Sequence, residues 1–179
     1  YPLRRQRQMC IRDSGYGMTV VTALVAQNTQ GVRSVHVPPL NFLQEQLDSV
    51  IEDVEIDAVK IGMLADAAIT TKVADFLRRL PETVPVVLDP VMVATSGDRL
   101  LEEEAEQAVR DLCSQVDLIT PNLKELAVLT QTQEAKDLEQ AIATAKDWAK
   151  AADTAVVVKS GHLDSDISDN AVVTPDGSV

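Results

Sequence analysis

The stretch VPVVLDPVMVATSGDRLLEEEAEQAVRDLCSQVDLIT, residues 84–120, contains two short apolar runs separated by a longer amphipathic segment. The runs at 84–88 and 117–120 are rich in aliphatic and β-branched residues, which predicts two strands of a buried sheet. Residues 101–116 repeat apolar side chains at the spacing of a helical turn, which predicts a helix between them. Strand, helix and strand in this order form a βαβ unit, and such units predict a parallel sheet.

The rest of the chain repeats this alternation. Further strands are predicted at residues 18–26, 58–63, 155–159 and 170–174, and further helices at 42–54, 67–80, 121–129 and 138–151. We therefore predict an α/β fold, with a doubly wound, mainly parallel sheet and helices on both faces, in one domain over residues 15–179.

The composition excludes several classes of protein. The 179 residues are 45% hydrophobic and 25% charged, which is typical of a globular domain and not of a disordered chain. A net charge of -12 argues against a nucleic-acid partner, because a phosphate backbone attracts a basic face. No apolar run reaches the roughly 18 residues of a membrane helix, so no membrane partner is expected. The two cysteines are too few for a disulfide scaffold, which favours a cytoplasmic protein.

Residues 1–14 differ from the rest of the chain in charge and pattern. They contain four arginines, one aspartate and no periodic apolar positions. The run RQRQMCIRDS, residues 5–14, resembles translated sequencing-adaptor read-through. We therefore interpret residues 1–14 as a non-native tail and exclude them from the fold.

Ligands of open α/β sheets bind at the carboxyl ends of the strands, and distinctive residues follow the predicted strands there. The segments are Gln27–Thr29, Gly62–Met63, Asp89–Met92, Thr120–Asn122 and Lys159–His162. A carboxylate, two amides and an ammonium group are expected to meet at this edge, which suits a polar or anionic ligand. Because the chain has 7 glycines and no glycine-rich phosphate loop, a phosphate site would rely on side chains and helix termini.

Each of these residues also has a purely structural interpretation. Asp89 precedes a proline and can begin a turn. Asn122 and Glu125 have the spacing of a capping box, although Thr120 could cap the helix instead. Lys159 could extend from a strand end into solvent. Their occurrence at several strand ends together favours the functional interpretation.

Other polar features are interpreted as structural. Cys113 lies on the apolar face of a predicted helix, which indicates a buried thiol. The acidic runs 102–104 and 164–169 are typical of a first helical turn and a solvated loop. The two histidines, His36 and His162, lack the spacing of a zinc site.

Five blocks resemble the hydroxymethylpyrimidine/phosphomethylpyrimidine kinase family of thiamine biosynthesis, within the ribokinase-like superfamily. They are YGMTVVTALVAQNTQG at 16–31, KIGML at 60–64, VLDPVM at 87–92, ITPNLKE at 119–125 and VKSGHL at 158–163. The resemblance covers residues 15–179. It implies a ribokinase-like fold and ATP-dependent phosphorylation of 4-amino-5-hydroxymethyl-2-methylpyrimidine and of its monophosphate.

The resemblance also implies a role for individual residues and two cofactors, ATP and Mg²⁺. By position, the pyrimidine would contact Gln27, Met63 and Val91. Asp89 and Glu125 would hold the magnesium ion. Asn122 and Lys159 would contact the nucleotide, and Lys159 would also stabilise phosphate charge. The full-length family members are expected to be homodimers.

This sequence departs from the family pattern in three places. Ser160 stands where the family usually has glycine, and the family's opening Gly-x-Asp-x-Ser-Gly-Gly-Ala-Gly block is not found. The late Gly-Thr-Gly-Cys block, which supplies the catalytic residue, is not found either. Residues 15–179 are therefore expected to be a partial domain, truncated at both ends, with little kinase activity alone. Two alternatives stay open, a pyridoxal kinase of the same superfamily and a non-catalytic α/β binding module.

Overall fold

A computed structural model describes residues 15–92, 100–159 and 170–179 of the chain. The proposed tail at 1–14 and the segment containing His162 lie outside the described residues. In chain order the elements are β1 Leu24–Asn28, β2 Gly31–His36, α1 Leu40–Ile51, β3 Val59–Ile61, α2 Ala67–Leu77, β4 Val86–Leu88, a 3-10 turn Glu103–Ala105, α3 Glu106–Cys113, β5 Leu118–Ile119, α4 Leu123–Thr130, α5 Leu138–Ala152, β6 Ala155–Lys159 and β7 Asn170–Val173.

The main sheet has five strands in the order β3-β4-β5-β6-β7. Strands β3 to β6 pair in parallel, and β7 pairs antiparallel with β6. The predicted α/β fold with a mainly parallel sheet is therefore confirmed. None of the helices in the described ranges combines the length and the apolar character needed to cross a membrane.

Local signals fix where the helices begin. The side chain of Asp66 accepts a hydrogen bond from the backbone N–H of Ile69 and caps α2. Asp137 caps α5 in the same way through the N–H of Gln140. Such caps satisfy backbone donors that a helix cannot pair internally, so they select the starting residue.

The two faces of the main sheet differ in burial. Right-handed crossovers between strands that follow one another in sheet order place every crossover helix on the same side. The residues that face those helices are buried: Ile61, Val86, Leu88, Ile119, Val156 and Val158. The residues between them face the other side and are half-buried or exposed: Lys60, Val87, Leu118, Ala155, Val157 and Lys159. Crossovers of the usual hand would bring the helices that connect β3, β4, β5 and β6 to the buried face.

The predicted strand at 18–26 is wrong, because the strand begins later and belongs to a separate hairpin. Strand β1 pairs antiparallel with β2 in a two-stranded sheet. The Asn28 side chain accepts a hydrogen bond from the N–H of Gln30 at 2.9 Å, and Gly31 adopts φ 149°. The chain reverses here because Asn28 stabilises the turn and Gly31 tolerates this φ. The turn lies in the polar segment that follows the predicted strand.

Candidate active site

Four polar side chains meet at the carboxyl ends of β3 to β6. The Asp89 carboxylate is central: its Oδ1 lies 2.8 Å from Lys159 Nζ, and its Oδ2 lies 3.9 Å from Lys60 Nζ. The Thr120 hydroxyl donates to Asp89 Oδ1 at 3.1 Å. We call these four residues, Lys60, Asp89, Thr120 and Lys159, the Asp89 cluster.

Sheet register explains why the cluster assembles. Lys60 pairs with Val87, so Asp89, two residues further along, points to the same face. The backbone N–H of Asp89 donates to the Ile61 carbonyl at 2.8 Å, and that of Thr120 donates to the Leu88 carbonyl at 3.0 Å. These ladder bonds continue the sheet past the assigned strands and hold both side chains at its edge.

Among the four residues of the Asp89 cluster, two side chains are cationic and one is anionic. Two ammonium groups surround one carboxylate, and the exposed side-chain fractions are 48% for Lys60, 39% for Lys159 and 24% for Asp89. Charges this accessible can exchange partners with a ligand at modest cost, because exposed ion pairs contribute only about 0–1 kcal/mol. The two lysines can attract an anion to this edge, although the chain as a whole carries a net charge of -12.

Asn122 and Glu125 form the capping box that begins α4. The Asn122 side chain accepts from the Glu125 N–H, and Glu125 Oε2 accepts from the Asn122 N–H, each at 2.9 Å. The structure therefore confirms the capping-box interpretation, and Thr120 binds Asp89 instead of capping the helix. The backbone N–H of Lys159 donates to the Pro121 carbonyl at 3.0 Å, which joins this helix start to β6.

Glu125 is buried, with 4% of its surface exposed. Burial raises the pKa of its carboxyl group, and the charge on Asp89 adds to that effect. Hydrogen bonds from the Asn122 and Met92 backbones and the charge on Lys159 oppose the rise in pKa. Glu125 therefore interacts electrostatically with the Asp89 cluster from beneath the edge, while its hydrogen bonds hold the helix start in place.

Of the three residues expected to contact the pyrimidine, two follow strands of the main sheet and one lies in the hairpin. Val91 and Gly62 line one small cavity of about 10 Å³, so the segments that follow β3 and β4 meet. The Met63 carbonyl accepts from the Thr22 hydroxyl at 2.6 Å, which anchors the chain leading into the hairpin beside the end of β3. Gln27 is exposed within β1, opposite Val32, and does not follow a strand of the main sheet.

The sequence analysis did not single out Lys60, and it placed Thr120 at the carboxyl edge and as a possible cap without a contact to Asp89. A charged residue in the apolar run AVKIGM was the available signal for Lys60, because buried strands rarely contain lysine. The signal for Thr120 lies in register, which brings it beside Asp89 and is not visible in a linear sequence.

The donor set at this edge fits a magnesium ion that is shared with phosphate oxygens. No group of three or more His, Cys, Asp or Glu side chains that could hold a metal occurs among the described residues. Mg²⁺ commonly uses one or two carboxylates together with substrate phosphates and water, so a dedicated cage is not required. Asp89 is the accessible carboxylate of the cluster, whereas the Glu125 carboxylate accepts backbone hydrogen bonds.

Comparison with known proteins identifies relatives of the whole described region. The model of the phosphomethylpyrimidine kinase family matches residues 11–179. The thiamine biosynthesis multifunctional protein ThiED of Corynebacterium glutamicum is 56% identical over 92% of this chain and 22% of that protein. The hydroxymethylpyrimidine/phosphomethylpyrimidine kinase of Escherichia coli is 45% identical over 90% of this chain and 61% of that protein. This chain thus spans less than two thirds of either relative.

A solved structure is similar in fold as well. The crystal structure of phosphomethylpyrimidine kinase from Clostridium difficile superposes with a TM-score of 0.84 at 29% identity. The superposition covers 96% of this chain and 74% of that one. The ribokinase-like fold expected from the sequence is therefore confirmed.

Proposed function

The chain belongs to the phosphomethylpyrimidine kinase family, and we propose that the protein containing it transfers phosphate from ATP to 4-amino-5-hydroxymethyl-2-methylpyrimidine and then to the resulting monophosphate. The observation that carries this proposal is the contact between Lys159 and Asp89, which places an ammonium group against an accessible carboxylate at the carboxyl edge of the sheet. Phosphoryl transfer relies mainly on positioning and charge stabilisation, and these groups can supply both.

Lys159 and Asn122 form the nucleotide side of the proposed site. Their segments are joined by the hydrogen bond from the Lys159 N–H to the Pro121 carbonyl. The Lys159 ammonium donates a hydrogen bond to Asp89 Oδ1 at 2.8 Å. When a nucleotide binds, we expect this ammonium to turn to the phosphate oxygens and neutralise part of their charge.

Asp89 is the residue best placed to hold Mg²⁺, and Glu125 adds negative charge beneath it. The ion would neutralise charge on the transferring phosphoryl group. Asp89 would then exchange its lysine partner for the cation, and the Thr120 hydroxyl, which donates a hydrogen bond to Asp89 Oδ1, would keep the carboxylate oriented.

The pyrimidine side of the proposed site comprises Met63, Val91 and Gln27. Met63 and Val91 follow adjacent strands and would contact the ring, while the Gln27 amide would hydrogen-bond the aminopyrimidine. The Thr22–Met63 hydrogen bond supports this assignment, because it anchors the segment leading to the hairpin at the same edge as Asp89.

The proposal is tested by following ADP release from the whole protein with the hydroxymethyl pyrimidine, its monophosphate or pyridoxal as acceptor. We expect turnover with both pyrimidines and weak competition by pyridoxal. Preferred phosphorylation of pyridoxal would instead support the alternative kinase, and ligand binding without turnover would support a binding module. Analytical ultracentrifugation of the same preparation tests the proposed homodimer, and cell fractionation tests the cytoplasmic location.

A further inference from the structure

Lys60 is a charged residue in the short strand β3. Its side chain is 48% exposed and its ammonium lies 3.9 Å from Asp89 Oδ2. By contrast, Lys159 approaches the other oxygen of the same carboxylate to 2.8 Å and donates a hydrogen bond to it. Much of the binding capacity of the Lys60 ammonium is therefore still available to a ligand.

Edge protection alone does not account for Lys60. In the described sheet β3 is an outer strand, and lysine on an outer strand discourages pairing with other chains. A lysine with only that role has no reason to approach the Asp89 carboxylate. Stability does not explain the contact either, since a pair this long and this exposed contributes little.

The position of Lys60 in the sheet indicates which ligand it faces. The strands run in the order β3-β4-β5-β6, so Asp89 lies between Lys60 on one side and Lys159 on the other. Lys159 neighbours Asn122, on the proposed nucleotide side. Lys60 shares its strand end with Met63, on the proposed pyrimidine side. The two cations therefore lie on opposite sides of the carboxylate at which phosphate would be transferred.

We propose that Lys60 binds the phosphate group of the pyrimidine monophosphate, and so determines acceptance of the phosphorylated substrate. This inference rests on the proposed function. The unphosphorylated pyrimidine presents a neutral hydroxymethyl group at that position, whereas the monophosphate presents an anion that an ammonium group binds strongly. A single site could then accept both substrates, with Lys60 contributing to the second alone.

The test compares Lys60→Gln and Lys60→Arg in the whole protein. Isothermal titration and steady-state turnover are measured with the hydroxymethyl pyrimidine, its monophosphate and ATP. We expect Lys60→Gln to weaken the monophosphate about tenfold, which corresponds to about 1.4 kcal/mol. The other two ligands should change less than about twofold, and Lys60→Arg should restore most of the lost affinity because it keeps the charge.

Lys146→Gln, on the exposed side of α5, removes the same charge and is the matched control. An equal loss for all three ligands, or no loss for the monophosphate, would overturn the inference. The proposed function is judged separately by turnover of the unphosphorylated pyrimidine in the unmodified protein. A melting temperature for each variant identifies any that fails to fold, and Lys60→Met, which also removes the charge, then takes the place of Lys60→Gln in the comparison.

Discussion

Replacing Asp89 with asparagine should change nucleotide affinity in opposite directions with and without magnesium. Without the ion, Asp89 opposes phosphate binding twice: its charge repels the anion, and it holds the Lys159 ammonium at 2.8 Å. The substitution Asp89→Asn removes the charge and releases the lysine while keeping the size of the side chain. A unit charge about 4 Å from a phosphate oxygen contributes about 1 kcal/mol in a water-like dielectric and more in a protein-like one.

Because the ion pair is partly exposed, we take about 1–2 kcal/mol as the combined effect, which predicts about five- to thirtyfold tighter metal-free binding. With magnesium the sign reverses, since the ion loses its accessible carboxylate ligand. We expect binding of the Mg²⁺–nucleotide complex to weaken about tenfold, as is typical when an oriented ligand is lost.

The assay is isothermal titration of a non-hydrolysable ATP analogue in EDTA and again in excess magnesium. Asp147→Asn, exposed on α5, removes the same charge away from the cluster and should shift neither affinity by more than about twofold. If Asp89→Asn shifts both affinities in the same direction, or leaves metal-free binding unchanged, the reasoning about this cluster is refuted.

Four further predictions concern stability and reactivity. Glu125→Ala should lower the free energy of unfolding by about 1–3 kcal/mol, because the Asn122 N–H loses its buried hydrogen-bond acceptor. Glu125→Gln keeps an acceptor oxygen for this N–H and should avoid that loss. Burial raises the pKa of Glu125 above its usual 4.5, so ionising this carboxyl group costs stability as the pH rises above 4.5. In denaturant titrations, Glu125→Gln should therefore become more stable relative to the unmodified chain as the pH rises. Gly31→Ala should destabilise the hairpin by about 1–3 kcal/mol, because alanine rarely adopts the φ of 149° found at Gly31. Amide hydrogen exchange should then become faster at residues 24–36 and stay unchanged in α5. The buried Cys113 thiol, whose pKa burial raises to about 12, should resist alkylation at pH 8 until the protein unfolds, and early labelling by mass spectrometry would contradict its placement.

Much of the main sheet was predictable because burial leaves a strong pattern. The strand at 155–159 was predicted with the observed bounds, and the helix at 138–151 differs by one residue. Buried strands must be apolar, and a capping aspartate marks where α5 begins, so both signals are local. The hairpin was missed because MTVVTALVA is β-branched from its start, although only its last residues pair. Pairing depends on the partner segment 31–36, which periodicity in a single run does not reveal.

Site residues that directly follow a predicted strand could be predicted from the sequence. Asp89 and Lys159 were both expected at the carboxyl edge and are in contact there. The capping role of Glu125 and Asn122 follows from their spacing. The contacts of Lys60 and Thr120 with Asp89 were not predicted, because they depend on the register between neighbouring strands. The roles of Gln27, Met63 and Val91 toward a pyrimidine stay predictions.

The central claim is that Asp89 and Lys159 act together in phosphoryl transfer. The most direct test is kcat/KM of the whole protein for the hydroxymethyl pyrimidine with saturating Mg²⁺ and ATP, measured for Asp89→Asn, Lys159→Gln and the control Asp147→Asn. Removing a preorganised electrostatic group typically costs about a hundredfold or more, so the first two variants should fall by that factor while the control stays within about twofold. Turnover by Asp89→Asn at the level of the control would contradict the claim.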